Sequence, residues 1–474
     1  MKKHTKVLAR ILFSLGFILI CYIAFYQLGK APFENWDEAW YAAVTRTMLQ
    51  THEFVALYWN GEMWLDKPPM YMWLSSFFAS IFGLSEFSMR LTSALSGVTA
   101  VMLVTWFAYK HYGVTPAILA YITLALNNVF VARMRSGNID TLPALLMLLI
   151  FFALVSKHAY RYVFLGVLFA VLYMTRGAMV VFPLVIFILH EILFMRKGLV
   201  KHAKQYGITF LTATVIPAIW LLIGYFKGGG AYVSYFLWQS DRGVASVALA
   251  NFHKDYFMYT YYSLQRRFAF VLISGVLFAL RYIKDNKAFL MLLFGLGLII
   301  QLSFTDRNNN WYLVPAMPFW SLLIAYGTYH ILKIVKNHKL AVAGILALSL
   351  FVGYRTFTIN ITPILDTTGP VKLVESAKQL QKIVPSDEAV VRLDHLYPTT
   401  IYYSQRKIYA SPSEAGESTT LWMTRADLIA KVKAKKIRWI AGSSSETAAF
   451  AESLPDVSLK TIHVNDEETI LHVR

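Results

Sequence analysis

The chain has 474 residues, 57% of them hydrophobic and 15% charged, against roughly 25% charged residues in an ordinary soluble chain. Apolar runs of the ~20 residues that a bilayer crossing needs recur through the first three-quarters, which excludes a soluble globular protein. The net charge of +18 does not mean nucleic acid: residues 360–474 balance 14 Lys/Arg against 14 Asp/Glu, and residues 1–359 hold 31 against 13. Cations lying between apolar spans are the positive-inside pattern, so no nucleic-acid partner is expected. Cys21 is the single cysteine, so neither an intramolecular disulfide nor a cysteine metal site can form.

In chain order, Lys2, Lys3, Lys6 and Arg10 precede an apolar stretch from Ile11 to Tyr26. The shape is that of a signal peptide without a small-x-small cleavage site, and it reads as an uncleaved first helix. Spans follow over about 92–109, 114–132, 139–156, 160–175, 178–195, 207–226, 268–284, 288–304, 311–332 and 340–358, making about eleven transmembrane helices in all. The fold class predicted is an all-α polytopic membrane protein, residues 1–359, followed by a small α/β soluble domain over 360–474. With the N-terminus in the cytoplasm, Lys110, Lys157, Arg161, Arg196, Lys197, Arg281, Lys287 and Lys333 all fall on the inner side. The acids crowd outside, where two loops, 29–91 and 227–267, are far longer than connection requires. Short helices are predicted over Tyr41–Leu49 and Pro68–Phe82. In the tail, helices over 371–383, 399–404 and 425–435 alternate with strands over 389–394, 407–410 and 438–441, with further strand near 457–473.

The chemistry-bearing residues sit mainly in the first outer loop. Asp37 and Glu38 are adjacent carboxylates bracketed by Trp36, Trp40 and Tyr41. Poor solvation of this kind raises carboxylate pKa values and suits a general base, although a solvated loop with an interfacial aromatic belt carries the same residues. Asp66 and Lys67 precede Pro68-Pro69, a double proline that fixes the backbone where a helix starts. An ammonium held there suits a phosphate, although a capping Asp with a snorkelling Lys carries the same residues. Arg176, between two apolar spans on the outer side, is either a phosphate ligand or a plain loop residue. In the second loop Tyr256 to Arg267 includes Tyr262, Arg266 and Arg267: arginine suits bidentate phosphate contact and tyrosine a sugar or prenyl chain, although an aromatic interface belt explains the tyrosines equally.

Taken together, the order Asp-Glu-x-x-Tyr at residues 37–41, then Asp66-Lys67-Pro68-Pro69, then Phe87-Ser88-Met89-Arg90-Leu91 resembles the protein O-mannosyltransferase and lipid A aminoarabinose transferase superfamily. These are membrane glycosyltransferases of the C-type (GT-C) fold. The resemblance implies that Asp37 is the base facing the acceptor and that Lys67 contacts the donor phosphate, with Arg176, Arg266 and Arg267 as further phosphate ligands. It places Glu38, Tyr41, Arg90 and Tyr262 at the substrates and makes Asp140 the second catalytic acid. Read from the residues alone, Asp140 is equally a helix N-terminal charge favoured by the dipole. No cofactor is required; a divalent metal on Asp66 and His253 is a further possibility that some relatives suggest. Trp40 stands where the aminoarabinose transferases have arginine, so aminoarabinose and lipid A do not carry over.

The expected function is transfer of a sugar from a polyprenyl-phosphate carrier to a lipid, glycan or protein acceptor. The expected setting is the outer face of a bacterial plasma membrane, as in lipopolysaccharide or protein O-glycosylation. A lipid or sugar transporter or flippase is the alternative; it would place ionisable residues deep within spans, where this sequence has almost none. In a Cys21→Ser background, Lys157→Cys and Asn286→Cys should resist impermeant thiol reagents in intact cells, whereas Asn60→Cys, Ala245→Cys and Thr420→Cys should react. Labelling of Thr420→Cys only after permeabilisation would place the tail inside.

Overall fold

The computed structural model describes residues 2–158, 160–195, 202–239, 254–264, 267–304, 309–412 and 421–474. They form two compact units: Met1–Leu28, Leu65–Gly83 and Phe87–Thr367 make one, and Gly29–Trp64, Leu84–Glu86 and Thr368–Arg474 the other. The sequence reading gave the first outer loop to the membrane domain; most of it packs in the unit of the tail.

The first unit is helical, and each predicted span coincides with helical backbone. Among the described residues, four helices are long and apolar enough to cross a membrane: Glu86–Tyr112, Arg161–Phe194, Ala203–Leu237 and His338–Leu365. Two bent pairs, Val114–Ala125 with Asn128–Met134 and Asp255–Ser263 with Phe268–Arg281, raise the number to six. Ala9–Phe25, Met70–Phe82, Thr141–Val155 and Asn286–Leu302 are shorter apolar helices.

Two of the long segments are hairpins rather than rods. Gly177, at φ 53°, breaks the Arg161–Phe194 stretch. Phe169 then meets Phe187 at 5.9 Å, and Tyr162 Oη donates to Glu191 at 2.9 Å. Those pairings need antiparallel arms, so the predicted spans 160–175 and 178–195 are separate helices. Gly229, at φ 66°, likewise turns the chain back, bringing Phe236 to 4.6 Å from Trp220.

Glycine also permits a close helix crossing. A Cβ on Gly275 would lie 2.1 Å from the Leu323 carbonyl oxygen, and one on Gly327 2.6 Å from the Gly275 nitrogen. Apolar side chains gain nothing by leaving lipid tails, so membrane helices associate through such small-residue contacts. Charges are tied off within the unit. Glu191 accepts from Tyr162, Tyr206 and Arg161 and pairs with His190. Arg90 donates to the Leu28 carbonyl at 2.7 Å, and Arg135 to those of Ile23 and Tyr26 at 2.7 and 2.9 Å. The two arginines thereby satisfy carbonyls that the end of the first helix leaves without helical partners.

The second unit has a five-stranded mixed sheet. Its strands, after a loop hairpin of Tyr58–Trp59 (β1) and Glu62–Met63 (β2), are Val390–Arg392 (β3), Ile408–Ala410 (β4), Trp439–Ser443 (β5), Leu459–His463 (β6) and Glu468–Val473 (β7). The order is β4-β3-β5-β7-β6, with β3 parallel to β4 and β5, and β7 antiparallel to β5 and β6. The helices Pro398–Ser404 and Arg425–Lys433 supply the crossovers that parallel pairing demands. Val391, Leu393, Leu428, Ile440, Phe450 and Leu471 fill the core. Arg392, fully buried, is neutralised by Asp394 at 2.6 Å and Glu468 at 3.0 Å.

Gly275→Leu should lower the unfolding midpoint of the detergent-solubilised protein, at a cost of about 1–3 kcal/mol for overpacking. Gly344→Leu, where a Cβ meets nothing within 4 Å, should leave the midpoint unchanged.

Candidate active site

In the second unit the loop enters the helix Asp37–Thr51 through a sharp corner. Trp36 has φ 69° and ψ −124°, a half of backbone space that residues with a Cβ rarely adopt. Asp37 and Glu38 open the helix, where carboxylates favour the N-terminal dipole. Asp37 is half-buried and Glu38 buried. Glu38 reaches back to accept the Glu34 N–H at 2.8 Å, a capping contact that gives this acid a structural task. Tyr41 is buried with its ring 6.0 Å from Trp64. Trp40 stacks near Trp59 at 4.9 Å and Trp64 at 6.4 Å, and all three indole N–H groups are buried without an acceptor. Buried indole N–H groups normally find a partner; these three make an aromatic wall with unmatched donors one turn from Asp37.

In the helical unit Pro69 begins the helix Met70–Phe82, as the double proline predicts. Lys67 stands just ahead of it, largely covered, with Asp66 at 3.6 Å. The most ordered cluster lies elsewhere. Asp140, 2% exposed, receives Arg176 Nη1 at 2.7 Å on one carboxylate oxygen and Arg133 Nε at 3.3 Å on the other. The Arg133 guanidinium lies over Trp311 at 4.2 Å, and that of Arg176 over Tyr312 at 5.0 Å. The turn carrying Asp140 is itself pinned: Ser93 Oγ donates to the Asn138 carbonyl at 2.6 Å, and Thr141 Oγ1 to that of Ser93 at 3.0 Å.

This geometry bears on the assignment of Asp140. With an arginine on each oxygen, its direct role is to orient two guanidinium groups, each a planar array of donors suited to phosphate. Arg133 was passed over in the sequence reading. Its signal was present in Arg133-x-Arg135, but the structure divides the pair, with Arg133 at Asp140 and Arg135 at the end of the first helix. Arg90 is buried on the Leu28 carbonyl. Tyr262 is half-exposed on the helix Asp255–Ser263. Arg266 and His253 lie outside the described residues; Arg267 opens the helix Arg267–Arg281, its side chain likewise outside the description. Among the described residues no three His, Cys, Asp or Glu side chains form a group able to hold a metal ion, and no step is assigned to one.

Known proteins resemble the chain over different parts of its length. The family model described as dolichyl-phosphate-mannose-protein mannosyltransferase matches residues 66–222. The chain is 23% identical over 233 residues to the undecaprenyl phosphate-alpha-4-amino-4-deoxy-L-arabinose arabinosyl transferase of Aeromonas hydrophila, covering 47% of this chain and 42% of that one. It is 34% identical over 113 residues to the putative mannosyltransferase YycA of Bacillus subtilis, covering 23% of this chain and 16% of that one. The alignments thus span less than half the length of each of these two relatives. ArnT from Cupriavidus metallidurans, solved in the apo state and bound to undecaprenyl phosphate, shares the fold with a TM-score of 0.76 at 14% identity, over 97% of both chains. The chain therefore carries the GT-C fold of membrane glycosyltransferases, and its sequence is similar over part of its length to mannosyl- and aminoarabinosyl-transferring relatives. Its long apolar helices, in this fold, make it an integral membrane protein.

Asp140→Ala should be strongly destabilising, by about 3–5 kcal/mol, because it leaves buried guanidinium groups without their counter-charge. Thermal unfolding of the purified protein in detergent reads this directly. A wild-type midpoint would remove Asp140 from the role of organising the arginines.

Proposed function

We propose that the protein transfers a sugar from a polyprenyl-phosphate carrier to an acceptor, by a single inverting displacement on the outer face of the membrane. The observation that carries this reading is the pair of guanidinium groups, Arg133 and Arg176, oriented by one buried carboxylate and backed by Trp311 and Tyr312. Two rigid cations with aromatic support suit an anionic phosphate joined to an apolar chain. Fixed charge of this kind, aimed where negative charge develops, is commonly the largest contribution to catalysis.

The roles follow from the chemistry. An acceptor oxygen attacks the anomeric carbon, whose bond to the phosphate oxygen breaks. Asp37 takes the acceptor's proton. The lipid phosphate leaves with the bonding electrons, its charge met by Lys67, Arg133 and Arg176, and by Arg266 or Arg267 from the second loop. An acceptor that is itself a phosphate needs no base, and Asp37 then positions it. The indoles of Trp40, Trp59 and Trp64 suit the face and hydroxyls of a sugar ring. Further parts of the proposal are eleven spans, a cytoplasmic N-terminus, an extracytoplasmic tail and a bacterial plasma membrane. They rest on the basic residues of the inner segments and on relatives named for bacterial lipid-carrier chemistry. No Gly-rich βαβ fingerprint for a nucleotide pyrophosphate occurs in the sequence.

Purified protein in lipid nanodiscs should transfer sugar from a member of a panel of synthetic polyprenyl-phosphate sugars. Transfer from a nucleotide sugar in the complete absence of lipid carrier would sink the proposal. Asp37→Asn should lower kcat with a hydroxyl acceptor by about 10²–10⁴-fold. Lys67→Ala should weaken donor use by about 1.5–3 kcal/mol, the value of one charge-assisted contact. A near-normal Asp37 variant would take the base role away from that residue.

A further inference from the structure

The segment that delivers Asp37 is held by the tail of the same unit, through bonds between positions more than 340 residues apart. Asn35, two residues before Asp37, accepts at Oδ1 from both the backbone N–H and the hydroxyl of Thr399, at 3.4 and 3.1 Å. The Phe33 N–H donates to Tyr403 Oη at 2.9 Å, and the Phe33 ring meets Tyr402 edge-on at 4.9 Å. Trp36 packs edge-on against Tyr397 with centroids 6.4 Å apart. Further along the same helix, the buried Arg46 guanidinium donates to the carbonyls of Tyr402 and Ile401. Beyond it, Asn60 exchanges two hydrogen bonds with the Ile408 backbone, at 2.7 and 3.0 Å. Thr399 is fully buried, and burial with the Glu86 carboxylate pushes the Tyr403 phenol well up from its ordinary pKa, so it keeps its proton.

These contacts coincide with a backbone that needs them. Trp36, with φ 69° and ψ −124°, adopts a conformation that a residue bearing a side chain leaves readily unless its surroundings over-determine it. Its rotation about the backbone sets the direction in which the next residue, Asp37, leaves the corner. The restraints fall on both sides of it: Phe33 and Asn35 before, Arg46 three turns after, and Tyr397 on its own ring. We propose that the helix Pro398–Ser404 is the positioning element for Asp37, with Thr399 and Tyr403 as its positioning residues. The soluble tail then serves catalysis by fixing the corner at Trp36, without itself touching the reacting atoms. This deepens the reading of Asp37 as the base and rests on it for the kinetic arm alone.

The test uses the full chain in nanodiscs with the polyprenyl-phosphate sugar that the panel identifies. Thr399→Val removes the hydroxyl donor at nearly constant volume; Thr399→Ser keeps it. The valine variant should lose about tenfold or more in kcat with donor KM within about twofold, because small misplacements of a catalytic group are costly. The serine variant should recover the loss. Amide exchange over residues 34–41 should quicken in the valine variant, while that of β5, Trp439–Ser443, stays as in wild type. Tyr403→Phe, which deletes the acceptor of the Phe33 N–H, is the second arm and should give the same pattern. Unchanged kcat and exchange in both variants would overturn the assignment, as would a uniform rise in exchange across the whole tail. The base reading fails separately, through an active Asp37→Asn variant; the exchange arm then still decides whether Pro398–Ser404 holds the corner.

Discussion

One buried carboxylate organises the end of the helical unit where the candidate chemistry gathers. Asp140 sits between Arg133 and Arg176, and a charge this far from water persists only with its counter-charges in contact. The other features of that end follow from the constraint. The Asn138–Thr141 turn is fastened to Ser93, and the two guanidinium groups acquire aromatic faces from the 3-10 turn Asn310–Ala316. Residues from the ends of separate helices are thereby fixed as one cluster of two cations, one carboxylate and two aromatic rings. Preorganisation of this sort is what an apolar setting rewards, since charges there cannot be rearranged cheaply.

Local patterns were well written in the sequence. Hydropathy located the apolar helices of the first unit, and alternation located nearly every element of the tail, because each depends on residues within a few positions of one another. The stretch 227–267, expected as an outer loop, instead holds helical backbone up to Gln239 and again over Asp255–Ser263. The helix Ser444–Glu452 was missed: it is short and small-residue-rich. The hairpin at Asn60-Gly61 was missed although its turn signal is explicit; positive φ at both residues suits that dipeptide.

Pairings across long separations were not legible. Nothing near Asp140 says that its partner will be Arg176, thirty-six residues on, or that Arg133 rather than Arg135 will turn toward it. The adjacency of Asp37 and Glu38 suggested a shared role, whereas the backbone divides them: Glu38 closes its own loop and Asp37 is delivered by a strained corner. The largest difference is one of grouping. The first outer loop follows a membrane helix and reads as its extension, yet Arg46 and Asn60 bond to backbone near residue 402 and at residue 408. A motif search confined to residues 35–91 sees the chemistry and misses its support.

Asn60 has one more consequence. β4 is the last named strand at one side of the mixed sheet, with β3 as its neighbour. Outer strands invite a foreign chain to add itself, and proteins guard them with charge, bulges or cover. Here the amide of Asn60 takes both the N–H and the carbonyl of Ile408, at the first residue of that strand. That side chain from a distant loop covers the start of the edge, and the backbone of Leu421 and Met423, bonded to Ala410, covers its end. The same bonds that join loop to tail thus also occupy the backbone groups of Ile408 that an added strand would need.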